Sequence, residues 1–401
     1  MTFAVGAGAV VSSLYLAVCF YLSRGLKNIC TDDEQQQGER CFAPTFCRSV
    51  GAKHLSPLSS PAHIPASLAP VSIIICARNE EKNISHLLDC LAKQTYPGEL
   101  LQIIVADDRS SDKTSEVVIY YKEKIKNLEL VKIAQTGEGI APKKHAFEQA
   151  IKKARGEIIL QTDADSVVFA DWVEKSIAPF AADSKIALSQ GIVKYRFDKG
   201  AKISPMLKIY QSFDFLSHGI VAAAGIGKNI PLNANANNFA FRKKDYEQSG
   251  GYGKLSEAVG GDDGLLMQKF WTSGKKIFFN TNSIVETQPE YSWKNLVNQR
   301  KKWGSETRFY LPKQTALLAS IFAFYCFALL FPALIVVKIF GELFFMRRGL
   351  SIFGEKCLLP HIIWTSPLNL FITIYSVICG IFAKFEWKGD VYRSKTINSC
   401  A

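Results

Sequence analysis

Hydrophobic and polar positions divide the chain into zones of different character. Residues 2–23, 315–337 and 362–383 carry no charged side chain until Arg24, Lys338 and Lys384 are reached. Each run is close to the ~20 residues that cross a bilayer as a helix. Between them the pattern changes. Short apolar runs at 71–76 (VSIIIC), 101–106 (LQIIVA), 128–134 (LELVKIA) and 157–162 (EIILQT) read as buried strands. Helical spacing of Ile84, Leu87, Leu88 and Leu91 follows the first run. Further helices are predicted at about 112–125 and at 143–154. Strands alternating with helices imply an α/β fold with a mostly parallel sheet. Such sheets bind ligands beyond the carboxyl ends of their strands.

The first apolar run has no basic residue before it and is followed by Arg24 and Lys27, the reverse of a signal peptide. The positive-inside rule places residue 24 onward in the cytosol. Residues 24–70, with DDEQQQGER and LSPLSSPAHIPASLAP, lack apolar periodicity and read as a flexible tether. Residues 313–346 fit one long tilted helix, or a span plus an amphipathic piece carrying Lys338, Glu342, Arg347 and Arg348. Residues 360–383 form a last span, and the basic tail 384–401 is expected in the cytosol.

Composition sharpens this picture. A chain of 401 residues suggests two or three units. Hydrophobic and charged fractions of 48% and 21% exclude a disordered or collagen-like chain. The net charge of +12 favours anionic partners. Without zinc-finger spacing, a long basic helix or an RNA-binding signature, nucleic acid is disfavoured against lipid headgroups and phosphorylated substrates. The ten cysteines show no ligand spacing and read as thiols of a cytosol-facing protein, with a Cys41–Cys47 disulfide left open.

Several acidic and basic groups fall where chemistry is expected. Asp163-Ala-Asp165 leaves the fourth strand, and two carboxylates at i and i+2 can approach one hard divalent ion shared with substrate phosphates. Asp107-Asp108 closes the second strand, where a carboxylate either caps a turn or accepts from a base or ribose. Gly260-Gly261-Asp262-Asp263 precedes a helix start. Adjacent acids there either complement the helix N-terminus or raise one another's pKa, which suits a general base. Lys143 and Lys144, in a basic stretch with Lys152, Lys153 and Arg155, can reach a phosphate or form a solvated face. Gln299-Arg300-Lys301-Lys302-Trp303 is either a juxtamembrane anchor or a clamp on a diphosphate. Gly137-Glu-Gly139 lacks the third glycine of a dinucleotide fingerprint. His86, His145 and His218 show no metal spacing and read as structural or surface groups.

The order of these segments carries a resemblance. VSIIICARNEEKNISHLLDCLAKQTYPGELLQIIVADDRSSDKT resembles the opening of family 2 glycosyltransferases of GT-A fold. APKKHAFEQAIKKARGEIILQTDADS resembles the segment leading into their DxD, and LNANANNFAFRKKDYEQSGGY their acceptor-side loop, strand and helix. GGDDGLL falls at their catalytic acid pair and QRKKW at their Gln-x-x-Arg-Trp motif. The ending FEWKGDVY resembles the tail of membrane-anchored bacterial members. The resemblance spans residues 71–312 closely and the flanking helices by pattern.

It implies a nucleotide-diphospho-sugar transferase domain at 71–312 between an anchor at 1–23 and the C-terminal helices. Ala77, Glu80 and Asp108 would surround a uridine, with Asp107 supporting their loop and Lys144 near the nucleotide. Asp163 and Asp165 would address the ribose and a diphosphate bound to Mg²⁺ or Mn²⁺. Asp263 would be the base and Asp262 its neighbour, while Gln299, Arg300, Lys302 and Trp303 would close over the diphosphate and acceptor. The sequence departs from the family pattern at Asp262, where glutamate is usual, at Lys302, where arginine is usual, and at Asn235-Ala236-Asn237, where glycine is common. Lysine keeps the charge but loses the bidentate fork. The expected activity is inverting, metal-dependent transfer from a UDP-sugar to a hydroxyl of a lipid or lipid-linked glycan, at a bacterial inner membrane with the catalytic domain cytoplasmic. A glycan-polymerising synthase and a catalytically silent nucleotide-sugar-binding protein are the competing readings.

Overall fold

The computed structural model describes residues 2–387 and 390–393, except 35–68, 138, 199, 254 and 256–260. These residues form two compact units, numbered here in one chain order. The sheet unit lies within Thr45–Lys199 and Ala234–Gln288. The helical unit takes Met1–Pro44, Gly200–Asn233 and Pro289–Ala401.

The sheet unit begins as the apolar runs predict. Strands β1 (Val71–Ala77), β2 (Leu101–Asp108), β3 (Leu128–Ile133) and β4 (Ile158–Asp163) alternate with helices α2 (Ile84–Leu91), α3 (Thr114–Lys122) and α4 (Pro142–Lys153). Then come β5 (Val167–Val168), α5 (Trp172–Ala182), β6 (Ile186–Tyr195), β7 (Phe239–Arg242), α7 (Lys243–Gln248), α8 (Gly264–Thr272) and β8 (Lys276–Thr287). The sheet order is β3-β2-β1-β4-β7-β6-β8-β5. β3, β2, β1 and β4 run parallel, as does the β6–β8 pair. β7 is antiparallel to both β4 and β6, and β5 is antiparallel to β8. Every residue of β2 is buried, including its two terminal aspartates. β-branched Ile73, Ile75, Ile103 and Val105 pack with Leu87, Leu88 and Trp172 in one core.

Register decides where the acids emerge. Ala77 lies opposite Asp107, and Cys76 opposite Asp163. The carboxyl ends of β1, β2 and β4 therefore finish side by side.

The helical unit contains α1 (Thr2–Glu34), α6 (Pro205–Ile226), α9 (Trp293–Ser305), α10 (Pro312–Leu330), α11 (Leu334–Ile352) and α12 (Ile362–Phe382), then the antiparallel hairpin β9 (Lys384–Trp387) and β10 (Asp390–Arg393). Three stretches are long and apolar enough to cross a membrane: Gly8–Ile29, Pro312–Leu330 and Lys356–Phe382. The 313–346 region is two helices, because the Phe331-Pro332 break ends α10 and α11 begins at Leu334. The tether expected over 24–70 is helical up to Glu34, and its remainder at 35–68 lies outside the described residues, with Cys41 and Cys47. Of the expected tail, residues 388–389 and 394–401 also lie outside them. Cys19, Cys76, Cys90, Cys326, Cys357 and Cys379 carry thiols, none in a disulfide.

Candidate active site

Two loops at the ends of β1 and β2 interlock into a rim. Asn79 adopts a left-handed backbone (φ 55°), which asparagine tolerates. Its N–H donates to Ser110 Oγ at 3.0 Å, and Ser111 N–H donates back to Asn79 Oδ1 at 2.8 Å. Glu80 N–H donates to Thr114 Oγ1 at 2.8 Å, while its carboxylate accepts from Asn83 Nδ2 at 2.7 Å. Asp107 is buried and ties the second loop, accepting from Ser110 N–H at 3.1 Å and from the Ser115 hydroxyl. Asp108, 4% exposed, takes both arms of Arg109 at 2.8 and 3.2 Å. A bidentate guanidinium is a strong charge-assisted contact. Ala77 is buried at the base of the rim.

Beside this rim lies an acidic centre. Asp163 ends β4, and Asp165 sits two residues on, where its Oδ2 accepts from Thr287 Oγ1 at 3.4 Å. Asp262 and Asp263 precede α8, after Gly261 with φ +68°, a backbone that favours glycine. Gly260 lies outside the described residues. The Lys143 ammonium links the two acidic segments, 2.9 Å from Asp163 Oδ1 and 2.6 Å from Asp262 Oδ2. Burial works against the lysine's charge, but the two carboxylates outweigh it and hold its pKa well above the ordinary value.

Asp263 is fixed by backbone donors. Its Oδ1 accepts from Gly264 N–H at 2.6 Å and its Oδ2 from Ala236 N–H at 2.9 Å. Burial first, and the Asp262 charge second, push its pKa up to about 6. A carboxylate of that strength suits a general base near neutral pH. The loop supplying the Ala236 N–H is itself anchored. Asn235 Oδ1 accepts from Asn237 N–H at 3.0 Å, and Asn238 Nδ2 donates to the Ile192 and Ser283 carbonyls, each at 3.0 Å.

The donor chemistry was tested against a divalent cation. Asp163 and Asp165 offer hard carboxylate oxygens, and the Asp163 side chain is 30% exposed. Among the described residues no group of three or more His, Cys, Asp and Glu forms a complete metal cage. That set fits a Mg²⁺ or Mn²⁺ ion whose remaining ligands are water and substrate phosphates, the usual arrangement for such ions.

The Gln299–Trp303 motif lies on α9 in the helical unit. Ser292 starts this helix, its side chain accepting from Asn295 N–H. Arg300 is 5% exposed and donates Nε to Asp214 Oδ2 of α6 at 2.6 Å. Asn369 of α12 donates to the other Asp214 oxygen at 2.7 Å. Arg300 also bonds Gln299 Oε1, and Gln299 Nε2 donates to Glu290 Oε1 at 3.1 Å. The guanidinium carbon lies 3.9 Å from the Trp303 ring centroid. His218 meets the same indole edge-on, 5.1 Å between centroids, and burial lowers its pKa although Asp214 opposes the shift. Lys302 occupies the last turn of α9.

The sheet unit thus brings Asp163, Asp262 and Asp263 to one centre and sets the Asp107–Asp108 rim on the adjoining strand ends. The basic position differs from the expectation. Lys144 is 1% exposed, donates to the Leu255 carbonyl at 2.8 Å and faces the Tyr252 ring, so it braces the chain leading to Asp262. Lys143, one residue earlier, reaches the acids. One residue on a helix is a 100° rotation, and only the burial pattern of α4 distinguishes the two. The sequence gave no signal for the Ala236 N–H, a backbone donor, or for His218 beside Trp303.

Comparison with known proteins fits this geometry. Residues 72–245 match the family model described as glycosyl transferase family 2. A probable glycosyltransferase of Bacillus subtilis, YdaM, is 27% identical over 328 residues, 78% of this chain and 75% of that protein. The dolichyl N-acetyl-alpha-D-glucosaminyl phosphate 3-beta-D-2,3-diacetamido-2,3-dideoxy-beta-D-glucuronosyltransferase of Methanococcus voltae is 25% identical over 243 residues, 60% of this chain and 69% of that one. Among solved structures, the mannosyltransferase PcManGT of Pyrobaculum calidifontis, in complex with GDP-Man and Mn²⁺, aligns with 90% of this chain and 99% of its own. Its TM-score is 0.51 at 16% identity, a likeness of fold. The chain belongs to glycosyl transferase family 2, and its sheet unit is a glycosyltransferase domain of GT-A fold.

Proposed function

We propose that this glycosyltransferase moves a hexosyl group from a nucleotide sugar, a UDP-sugar by the resemblance of its rim, to a hydroxyl of a lipid or lipid-linked glycan, with inversion. The observation that carries the reading is Asp263, held by two backbone N–H groups and pushed up to about 6, beside the acids at the end of β4. In this reading Asp263 takes the proton of the acceptor hydroxyl as its oxygen bonds to the anomeric carbon. The bond from that carbon to the diphosphate breaks in the same step, and the electron pair leaves on the diphosphate. One displacement gives inversion. Asp163 and Asp165 hold Mg²⁺ or Mn²⁺, which supplies neutralisation of the leaving charge. Ala77, Glu80, Asp107 and Asp108 line the nucleoside side, with Arg109 fixing Asp108. Gln299, Arg300, Lys302 and Trp303 serve the diphosphate and acceptor side, where the buried Asp214 aligns Arg300 against Trp303.

The lipid acceptor is supported by the three apolar helical stretches and by the dolichyl-linked substrate in the name of the Methanococcus relative. The same helices support a membrane location with the sheet unit in the cytoplasm. Detergent-solubilised full-length protein, incubated with a panel of nucleotide sugars, Mn²⁺ and a total lipid extract, is expected to release nucleoside diphosphate from one donor and to label the lipid fraction. EDTA should stop release. Asp263→Asn should abolish transfer and keep nucleotide binding. Full activity in Asp263→Asn, or EDTA-insensitive transfer, would overturn this mechanism.

A further inference from the structure

We propose that Lys143 is a resident counter-ion of the acidic centre that makes divalent-metal binding depend on the nucleotide diphosphate. The proposal rests on the reading of Asp163 and Asp165 as the metal-facing acids.

Its ground is the placement of one ammonium group. Lys143 Nζ lies 2.9 Å from Asp163 Oδ1 and 2.6 Å from Asp262 Oδ2, so one cation bridges the acid of β4 and the acid before the base. Helix stability does not explain a lysine at this position. α4 starts at Pro142 with no acidic residue in its first turn, and Lys143 and Lys144 stand at its positive end. A cation there opposes the helix dipole by ~0.3–1 kcal/mol. The carboxylates across the gap provide the compensating attraction. The lysine's backbone is held as well, its carbonyl facing Cys76 Sγ at 3.7 Å on the strand paired with Asp163.

The consequence concerns Asp163. A divalent ion approaching without nucleotide meets a carboxylate already engaged by a positive charge, and a protein set too small to enclose it. The ion loses part of one ligand and is repelled by the ammonium. A nucleotide diphosphate changes both terms. Its oxygens complete the coordination, and its negative charge offsets the repulsion. Metal and nucleotide then bind with positive coupling, which is reciprocal between the two ligands. Free metal is kept off the centre, and the four acids Asp163, Asp165, Asp262 and Asp263 do not become a cation trap.

The test is Mn²⁺ binding to the full-length protein in detergent, read from the free-Mn²⁺ paramagnetic resonance signal with and without UDP. Wild type should bind Mn²⁺ weakly alone and at least tenfold more tightly with UDP. Lys143→Met should bind Mn²⁺ alone about tenfold more tightly than wild type, with a smaller gain from UDP. Lys143→Arg should behave as wild type. Should Lys143→Met fail to fold because Asp262 loses its partner, Lys143→Met with Asp262→Asn removes both charges, and a smaller tightening is expected. Nucleotide-free affinity in the folded Lys143 variants equal to or weaker than wild type would overturn the proposal. Failure of the underlying site reading has a different signature: Asp165→Asn would leave Mn²⁺ binding in the presence of UDP unchanged.

Discussion

At the scale of single residues, the assigned base has a testable acidity. Asp263 must be a carboxylate to accept a proton, and burial with the Asp262 charge raises its pKa to about 6. A raised pKa means the active form is lost as pH falls through that value. The transfer rate should therefore rise between pH 5 and 7, with a midpoint of about 6 in a pH profile of kcat/KM. Asp262→Asn removes the smaller of the two causes, so the limb should move to lower pH without reaching the ordinary aspartate range. An unmoved limb would assign it to another group. The acids themselves were legible in the sequence, because Asp107-Asp108, Asp163-Ala-Asp165 and Asp262-Asp263 all stand at the ends of apolar runs or before a helix. The basic partner was legible only as a choice between Lys143 and Lys144. The alternation of buried and exposed positions on α4 was too short to fix which lysine faces the strand ends, and tertiary packing decided it.

At the scale of elements, α9 is bound to α12 by contact too close for side chains. A Cβ on Gly304 would lie 2.5 Å from the Ser376 carbonyl, and one on Gly380 would lie 2.5 Å from the Lys301 carbonyl. Small residues let backbones approach in this way. Asp214 then joins α6 to both, through Arg300 and Asn369. Breaking a buried pair by removing one partner costs about 3–5 kcal/mol, since the other charge stays buried. Asp214→Ala should therefore lower the unfolding midpoint markedly and change the emission of Trp303, stacked on Arg300. Gly380→Ala should cost about 1–3 kcal/mol by overpacking. A fluorescence-monitored melt of each variant checks both, and a wild-type melt for Asp214→Ala would show the pair to be unimportant. Elements of the first half were readable because strand and helix periods alternate cleanly there. The antiparallel insertion of β7 was not, since FAFR fixes a strand but not its direction. Direction depends on α5, α6 and the connections between them, which carry no local signal.

At the scale of the whole chain, the packing of α12 bears on how the helical unit meets a membrane. By length and composition Lys356–Phe382 could span a bilayer, and the apolar pattern alone predicts a span. Yet α12 runs beside α9. Trp364, Leu368 and Ile372 pack with the cluster containing Leu296 and Trp293 near the start of α9, while Ser376 and Gly380 meet its end. Carrying α12 through the hydrocarbon core would carry α9 with it, including Lys294, Arg300, Lys301 and Lys302. Each charged residue at the bilayer centre costs about 2.5–3.5 kcal/mol on insertion scales. Both flanks of α12 are also basic, with Arg347, Arg348 and Lys356 before it and Lys384, Lys388, Arg393 and Lys395 after it. The break between α10 and α11, Phe331-Pro332-Ala333, is uncharged. These features fit a hairpin of α10 and α11 that crosses and returns, with Lys338 paired to Glu342 inside it, and α12 lying along the cytoplasmic surface. Protease-cleavable tags placed after Gly354 and at the C-terminus should then be cut from the same side, in inverted vesicles and not in right-side-out ones. Cleavage of the two tags from opposite sides would show that α12 crosses, and that α9 is drawn into the bilayer or released from α12.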